Sequence, residues 1–317
     1  MDDLKKHGVV LRQWESEEIE RVDVPITENF IPEDNYDLVM VVMRKNKALK
    51  LLPSISENKN IPTFLFLMNN AAGPMPFIDT MGKERVVMGF PGAAGYHDGH
   101  TIVHLRGSER EPVVMLVGDA GGGVSQRTEK LALELEKGLH IIVETEPLMD
   151  AWSKYHVALL FPALAPAFYL CGNDNLRMAR TRDAMVLAWR GILEGFEVLR
   201  RMGYPVRPKY LKRFLYIPEP IAIAFIKKFL QNPKIEVAMV RHAKVIRDEI
   251  KQLNNEFLEL AERSGMFAPT IRFLTDQFNQ KAPTLPEGSR SIPLRWSEVV
   301  IPFLLVVLAS LIIAYAL

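Results

Sequence analysis

The chain has little cysteine and almost no net charge. One cysteine, Cys171, in 317 residues excludes an internal disulfide and fits a reducing compartment. Its apolar neighbours Phe168, Tyr169 and Leu170 suggest a buried thiol and not a nucleophile. Lys and Arg number 39 against 38 Asp and Glu, a net charge of +1. With no basic excess to neutralise a phosphate backbone, a nucleic-acid partner is excluded. The opening MDDLKKHG is charged where a secretory signal needs an apolar run, so no such signal is expected. Metal-ligand spacing is lacking too. His97, His100 and His104 straddle an Asp-Gly turn, their side chains need not converge, and no metal is assigned.

Two kinds of pattern divide what is there. Residues 1–146 alternate short Val-rich runs with turns: DLVMVVM (37–43), TFLFLM (63–68), RVVMGF (85–90), TIVHL (101–105) and PVVMLV (112–117). These read as strands, and the continuous apolar run 37–43 followed by a helical KALKLLPSI reads as a buried parallel strand. Asp98-Gly99 signals a hairpin. From about residue 147 the period becomes helical. Val237, Val240, Ile246, Ile250, Leu253, Phe257 and Leu260 fall near one stripe, which Gly265 should stop. The fold class is therefore α/β followed by all-α. Residues 147–281 form the helical part, and the Pro/Ser-rich 282–298 reads as a linker.

The stretch VVMLVGDAGGGVSQRTEKLALELEKGLHIIVETE (113–146) reads as strand, glycine turn, helix, strand. A turn of this kind lets backbone N–H groups approach a pyrophosphate at a helix N-terminus. Glu144 and Glu146 stand where a ribose-binding acid would. The spacing does not fit, however. From Gly118 it is G-x-x-G-G-G, and from Gly121 the last glycine of G-x-G-x-x-G is Gln126. A solvated turn capped by Ser125 is the simpler expectation.

Val299–Leu317, VVIPFLLVVLASLIIAYAL, carries no charge. Nineteen helical residues span roughly 28 Å, so a single-pass membrane anchor is expected, with Arg290, Arg295 and Trp296 at the interface. The basic flank would hold the main domain in the cytoplasm.

Several segments, in order from about Asp3 to Phe278, resemble the ketopantoate reductase (2-dehydropantoate 2-reductase) family. They are DLVMVVMRKNKALKLLPSI, LFLMNNAAG, KERVVMGFPGAAGYHDGHTIVHLRG, DAWSKYHVALLFPALAP and DEIKQLNNEFLELAERSGMFAPTIRFLTDQF. The resemblance implies a Rossmann-like coenzyme domain (1–146) and a helical domain (147–281). It places the family's dinucleotide loop upstream of MDDLKKHG, so a strand, the G-x-G-x-x-G turn, a helix and a second strand are expected to be lacking, and the glycines at 118–123 become a later turn.

The activity so implied is hydride transfer from NADPH to the ketone of a 2-oxo acid, with an ammonium steadying and protonating the developing alkoxide. Lys154 matches the family's catalytic lysine, and Glu249 the carboxylate that bonds the substrate hydroxyl. Asn69 matches an asparagine between cofactor and substrate, Asn254 is a further candidate for the same pocket, and Arg44 is a cofactor-side cation where the family often has Lys. Ala158 and Val237 replace polar residues of the family, which opens a bulkier or more apolar oxo acid. A homodimer is compatible with this reading. The alternative is a non-catalytic binding or scaffold protein derived from this fold and tethered to a membrane.

Overall fold

A computed structural model describes the backbone of residues 2–105 and 112–316, and side chains within these as far as Ser310. The first half contains α1 (Asp2–His7), β1 (Val9–Gln13), β2 (Ile19–Val22), β3 (Val39–Val42), α2 (Lys45–Glu57), β4 (Phe64–Leu67) and α3 (Met75–Met81). It continues with β5 (Val86–Phe90), β6 (Gly95–Asp98), β7 (Thr101–His104), β8 (Val114–Asp119), α4 (Gln126–Leu139) and β9 (Ile142–Thr145). The strands form a five-stranded sheet of order β3-β4-β5-β8-β9 and a four-stranded one of order β2-β1-β7-β6. β3, β4 and β5 run parallel through two βαβ units, and β8 returns antiparallel to β5. All four side chains of β4 (FLFL) are buried, as expected of a parallel strand covered on both faces. The hairpin lies one residue later than the sequence suggests. Asp98 pairs with Thr101, so Gly99 (φ +60°) and His100 form the loop, with glycine at the first position as a II′ turn requires.

The second half is helical: α5 (Met149–Leu159), a π-helical turn at Leu160–Leu164, α6 (Ala165–Leu170), α7 (Asn175–Arg180), α8 (Arg182–Arg201) and α9 (Glu219–Leu230). After these come α10 (His242–Val245), α11 (Arg247–Arg263), α12 (Pro269–Asn279) and α13 (Ser297–Ala316). The predicted stripe from Val237 to Leu260 is buried throughout, but it is carried by three pieces and not one helix. Glycines let α8 press close to its neighbours. A Cβ on Gly191 would stand 2.9 Å from Ala163 Cβ, and one on Gly195 would stand 3.2 Å from Ala158 Cβ.

Residues 282–298 are strapped along this half. Asp183 accepts Ser291 N (2.8 Å) and Ile292 N (2.9 Å), Arg177 donates to Leu285 O (2.8 Å), and Arg190 donates to Pro293 O (2.8 Å). The strap runs into α13, and there the expected membrane anchor must be corrected. Among the described residues, no helix is long and apolar enough to cross a membrane. The first turn of α13 carries Glu298, which accepts the N–H of Glu219 at 2.7 Å and ties the helix to the protein. The side chains of 311–316 and residue 317 lie outside the described residues. The transmembrane helix, the membrane partner and the localisation that followed from them fall together.

Candidate active site between the sheet and the helical half

The carboxyl ends of β3 and β4 face α5 and α11, and most of the sequence-derived candidates meet there. In an open parallel sheet this is where ligands bind, because the strands end and the connecting turns diverge. β4 passes into a turn of Asn69, Asn70, Ala71, Ala72 and Gly73, while β3 passes directly into α2 through Arg44.

Lys154 projects from α5 and is 1% exposed. Its Nζ donates to Asp150, one turn earlier on the same helix, and stands 4.8 Å from the centre of the Tyr204 ring. Gly73 (φ +100°) lets the backbone approach closely on the other side, for a Cβ there would lie 3.1 Å from Nζ and 3.4 Å from Asp150 Oδ1. Burial pulls the Lys154 pKa below the ordinary lysine value, with the charges of Lys45 and Arg263 adding to it and Asp150 opposing. Glu249, on the first turn of α11, is buried and accepts Asn69 Nδ2 at 3.3 Å. Burial raises its pKa above 4.5, against the Asn69 hydrogen bond. Arg44 pairs with Asp248 at 2.7 Å, and Asn46 donates to the same carboxylate at 2.9 Å. The structure thus brings Lys154, Glu249, Asn69 and Arg44 to one region.

Asn254 is not among them. Fully buried, it turns toward the π-helical turn, where its amide nitrogen reaches Phe161 O at 2.8 Å and Ile250 O at 3.1 Å. It satisfies carbonyls that the irregular helix leaves over. His156 lies one turn from Trp152 and stacks between it (4.9 Å) and Phe90 (4.3 Å), where burial pushes its pKa down to about 4. Among the described residues, no cluster of His, Cys, Asp or Glu could hold a metal ion.

Sequence reasoning missed four members of the site. Lys45 donates to Asn70 Oδ1 and to Glu256 Oε2, both at 2.8 Å. Asp150 holds Lys154. The signals were spacing signals: Asp150 precedes Lys154 by four residues, and Glu256 follows Glu249 by two helical turns.

The glycine turn after β8 is filled by the protein itself. Asp119 accepts Ser125 N (2.5 Å), Thr128 Oγ1 (2.8 Å) and Arg127 (2.9 Å) at the N-terminus of α4, which Ser125 caps. Burial pushes the Asp119 pKa up, but these hydrogen bonds outweigh it and hold the carboxyl below 3.8. Gly118 is a packing glycine: a Cβ there would lie 2.3 Å from Glu146 O and 2.8 Å from Met149 Cβ. Asp119→Ala should cost about 1–3 kcal/mol in urea unfolding and leave dinucleotide affinity unchanged. A weakened affinity would make the turn part of the site.

A nicotinamide dinucleotide fits the β3–β4 end better. Among the described residues, Asn69 Oδ1 and Asn46 Oδ1 find no hydrogen-bond partner there, buried acceptors that a carboxamide or hydroxyl donor would satisfy.

The architecture is a Rossmann-like sheet half followed by a helical half. It is similar in particular to D-mandelate dehydrogenase, solved with NADH and anilino(oxo)acetate (TM-score 0.71, 15% identity, 88% of this chain and 86% of that one). A ketopantoate reductase from Ralstonia eutropha JMP134 gives 0.67 at 16% identity, over 88% of this chain and 86% of that one. The 2-dehydropantoate 2-reductase from Geobacter metallireducens GS-15 gives 0.63 at 15% identity, over 87% of each chain. At these identities the likeness is one of fold. Coverage of this extent gives no support to the expected loss of an N-terminal strand-turn-helix. No protein-family model matches the sequence, and no curated relative does.

Proposed function

We propose that the chain is an NADPH-dependent reductase of a 2-oxo acid. The observation that carries this reading is Lys154, an enclosed ammonium held by Asp150 against the turn after β4, the turn whose Asn69 bonds Glu249. The cofactor, when bound, supplies the hydride for the ketone carbon. The protein's residues do the rest. Lys154 Nζ, beside the Gly73 backbone, stabilises the negative charge that grows on the ketone oxygen and gives it a proton. Asp150, 32% exposed, connects Nζ to water so that the proton can be replaced. Glu249, biased toward its neutral form by burial, bonds the new hydroxyl. Asn69 turns its unpartnered Oδ1 toward the nicotinamide side, and Arg44 offers a cation at the mouth. Asn254, tied to Phe161, serves the fold.

A non-catalytic binding protein is the second reading, favoured by the internal carboxylates that already occupy Lys154, Lys45 and Arg44. One experiment separates the two. NADPH and NADH binding are followed by nicotinamide fluorescence, then oxidation is followed with aliphatic and aryl 2-oxo acids. Oxidation with any of them is expected, with NADPH preferred. Absence of binding to either dinucleotide would leave the second reading.

A further inference from the structure

Lys45 is 1% exposed and has no part in the reaction just described. Its ammonium donates to Asn70 Oδ1 and Glu256 Oε2, and that same Glu256 oxygen accepts the backbone N–H of Ala72 at 3.1 Å. The other Glu256 oxygen accepts Gln252 Nε2 at 2.8 Å, one turn earlier on α11. A carboxylate from the helical half therefore sits on an ammonium and a backbone N–H belonging to the sheet half. Two donors converging on one oxygen are what an incoming carboxylate would also need.

This arrangement adjoins the reacting groups. Asn70 Oδ1 accepts both Lys45 Nζ and Gly73 N (3.0 Å), and a Cβ on Gly73 would stand 3.1 Å from Lys154 Nζ. The charges of Lys45 and Asp150 act on one another, as do those of Lys45 and Lys154. Lys154 is neutralised by Asp150, Arg44 by Asp248 and Lys45 by Glu256. Each of these three cations already has an internal partner, so a 2-oxo acid carboxylate that binds at any of them displaces that partner. Glu256, though less exposed than Asp150 or Asp248, is the partner whose place a carboxylate would copy, since it alone of the three takes two donors on one oxygen. Its side chain is 13% exposed against 2% for Lys45, so it can withdraw toward water with Gln252 while the ammonium stays fixed.

We propose that Glu256 stands in for the substrate carboxylate: it occupies Lys45 and the Ala72 N–H in the empty site and is exchanged for the acid that binds. The identity of the ligand as a 2-oxo acid rests on the reductase reading. Glu256 then determines specificity, because an acid must compete with it while an uncharged carbonyl compound need not. Removing its charge leaves a buried ammonium uncompensated, and such a group takes up an external anion more readily.

The test is calorimetric titration of the full chain with oxamate, an unreactive analogue of a 2-oxo acid, in the presence of NADPH. Glu256→Gln should bind oxamate about tenfold more tightly than the parent, and Lys45→Met added to it should remove the gain. Glu256→Asp, with its carboxylate drawn back by one methylene, provides a second variant should the first fail to fold. Uncharged oxamide should be indifferent to all of these changes. A folded Glu256→Gln or Glu256→Asp protein binding oxamate no more tightly than the parent would overturn the proposal, as would a gain that survives the loss of Lys45. A gain without reduction of any 2-oxo acid would sink the reductase reading and leave the exchange standing. Reduction by the parent with no gain in either variant would do the reverse.

Discussion

Replacing Lys154 by Met should lower kcat for the 2-oxo acid by roughly 10²–10⁴-fold, the range that one positioned proton donor contributes. Met keeps most of the volume of the buried stem, so the loss falls on the proton and the charge and not on packing. Lys154→Arg sharpens the test. A guanidinium keeps the positive charge but does not release a proton at accessible pH, so kcat should remain low while dinucleotide binding persists. The pH profile carries the same signature. Burial lowers the Lys154 pKa from 10.5, so activity that needs the ammonium should decline with rising pH earlier than for a free lysine. The sign for folding is opposite. Between the lowered folded pKa and 10.5 the unfolded chain binds more protons than the folded one, so stability from this group rises with pH across that window. A Lys154→Met enzyme with nearly full kcat would remove Lys154 from the chemistry.

Glu219→Ala should destabilise the protein by about 3–5 kcal/mol in urea or thermal unfolding, because it strands a charge inside the helical half. Glu219 is 1% exposed. It receives Arg190 on both oxygens (2.7 and 2.8 Å) and the N–H of Arg295 at 3.0 Å, so one carboxylate joins α8, α9 and the strap. Its removal leaves Arg190 without its ion pair and Arg295 N without an acceptor. Burial pushes the Glu219 pKa up, but the Arg190 hydrogen bonds and the Arg295 N–H outweigh it and hold the value below 4.5. The stabilisation is therefore fully present above 4.5 and is lost as the pH falls through the lower folded value. Glu219→Ala should flatten that acid limb. A loss under about 1 kcal/mol would mean that the helices and strap hold without this junction.

The strand runs of the first half were legible because parallel strands covered on both faces must be apolar along their whole length, as β4 is. The helical stripe was legible by period, yet the interruption at residues 236–246 was not, since the same residues face inward whether the turns are α or π. The site was legible to within one residue. Asn69 and Arg44 were singled out, while their neighbours Asn70 and Lys45 form the buried bond at 2.8 Å. Successive residues in extended chain point to opposite sides, and a motif does not tell which of two adjacent polar residues turns inward. The spacing of Glu256 from Glu249 marks a shared helix face but not its partner, which lies 211 residues away in the chain. The terminal apolar run misled for a related reason. Hydropathy registers Val299 onward, but Glu298 is bound to Glu219, a contact that depends on α9 having folded first.

The strap also imposes an order in time. Asp183 is buried at the start of α8, and its carboxylate is satisfied by the N–H groups of Ser291 and Ile292, 108 and 109 residues later. Arg190 waits 103 residues for the carbonyl of Pro293. As the chain leaves the ribosome, α8 can associate with α5 and the π-helical turn well before those partners exist. The α7–α8–α9 layer must then stay hydrated at Asp183 until Ser291 and Ile292 have been made, when the strap displaces that water. Closure of the helical half is thus a late, long-range event, and it gives nascent chains an interval in which a chaperone can still reach the groups that the finished protein encloses.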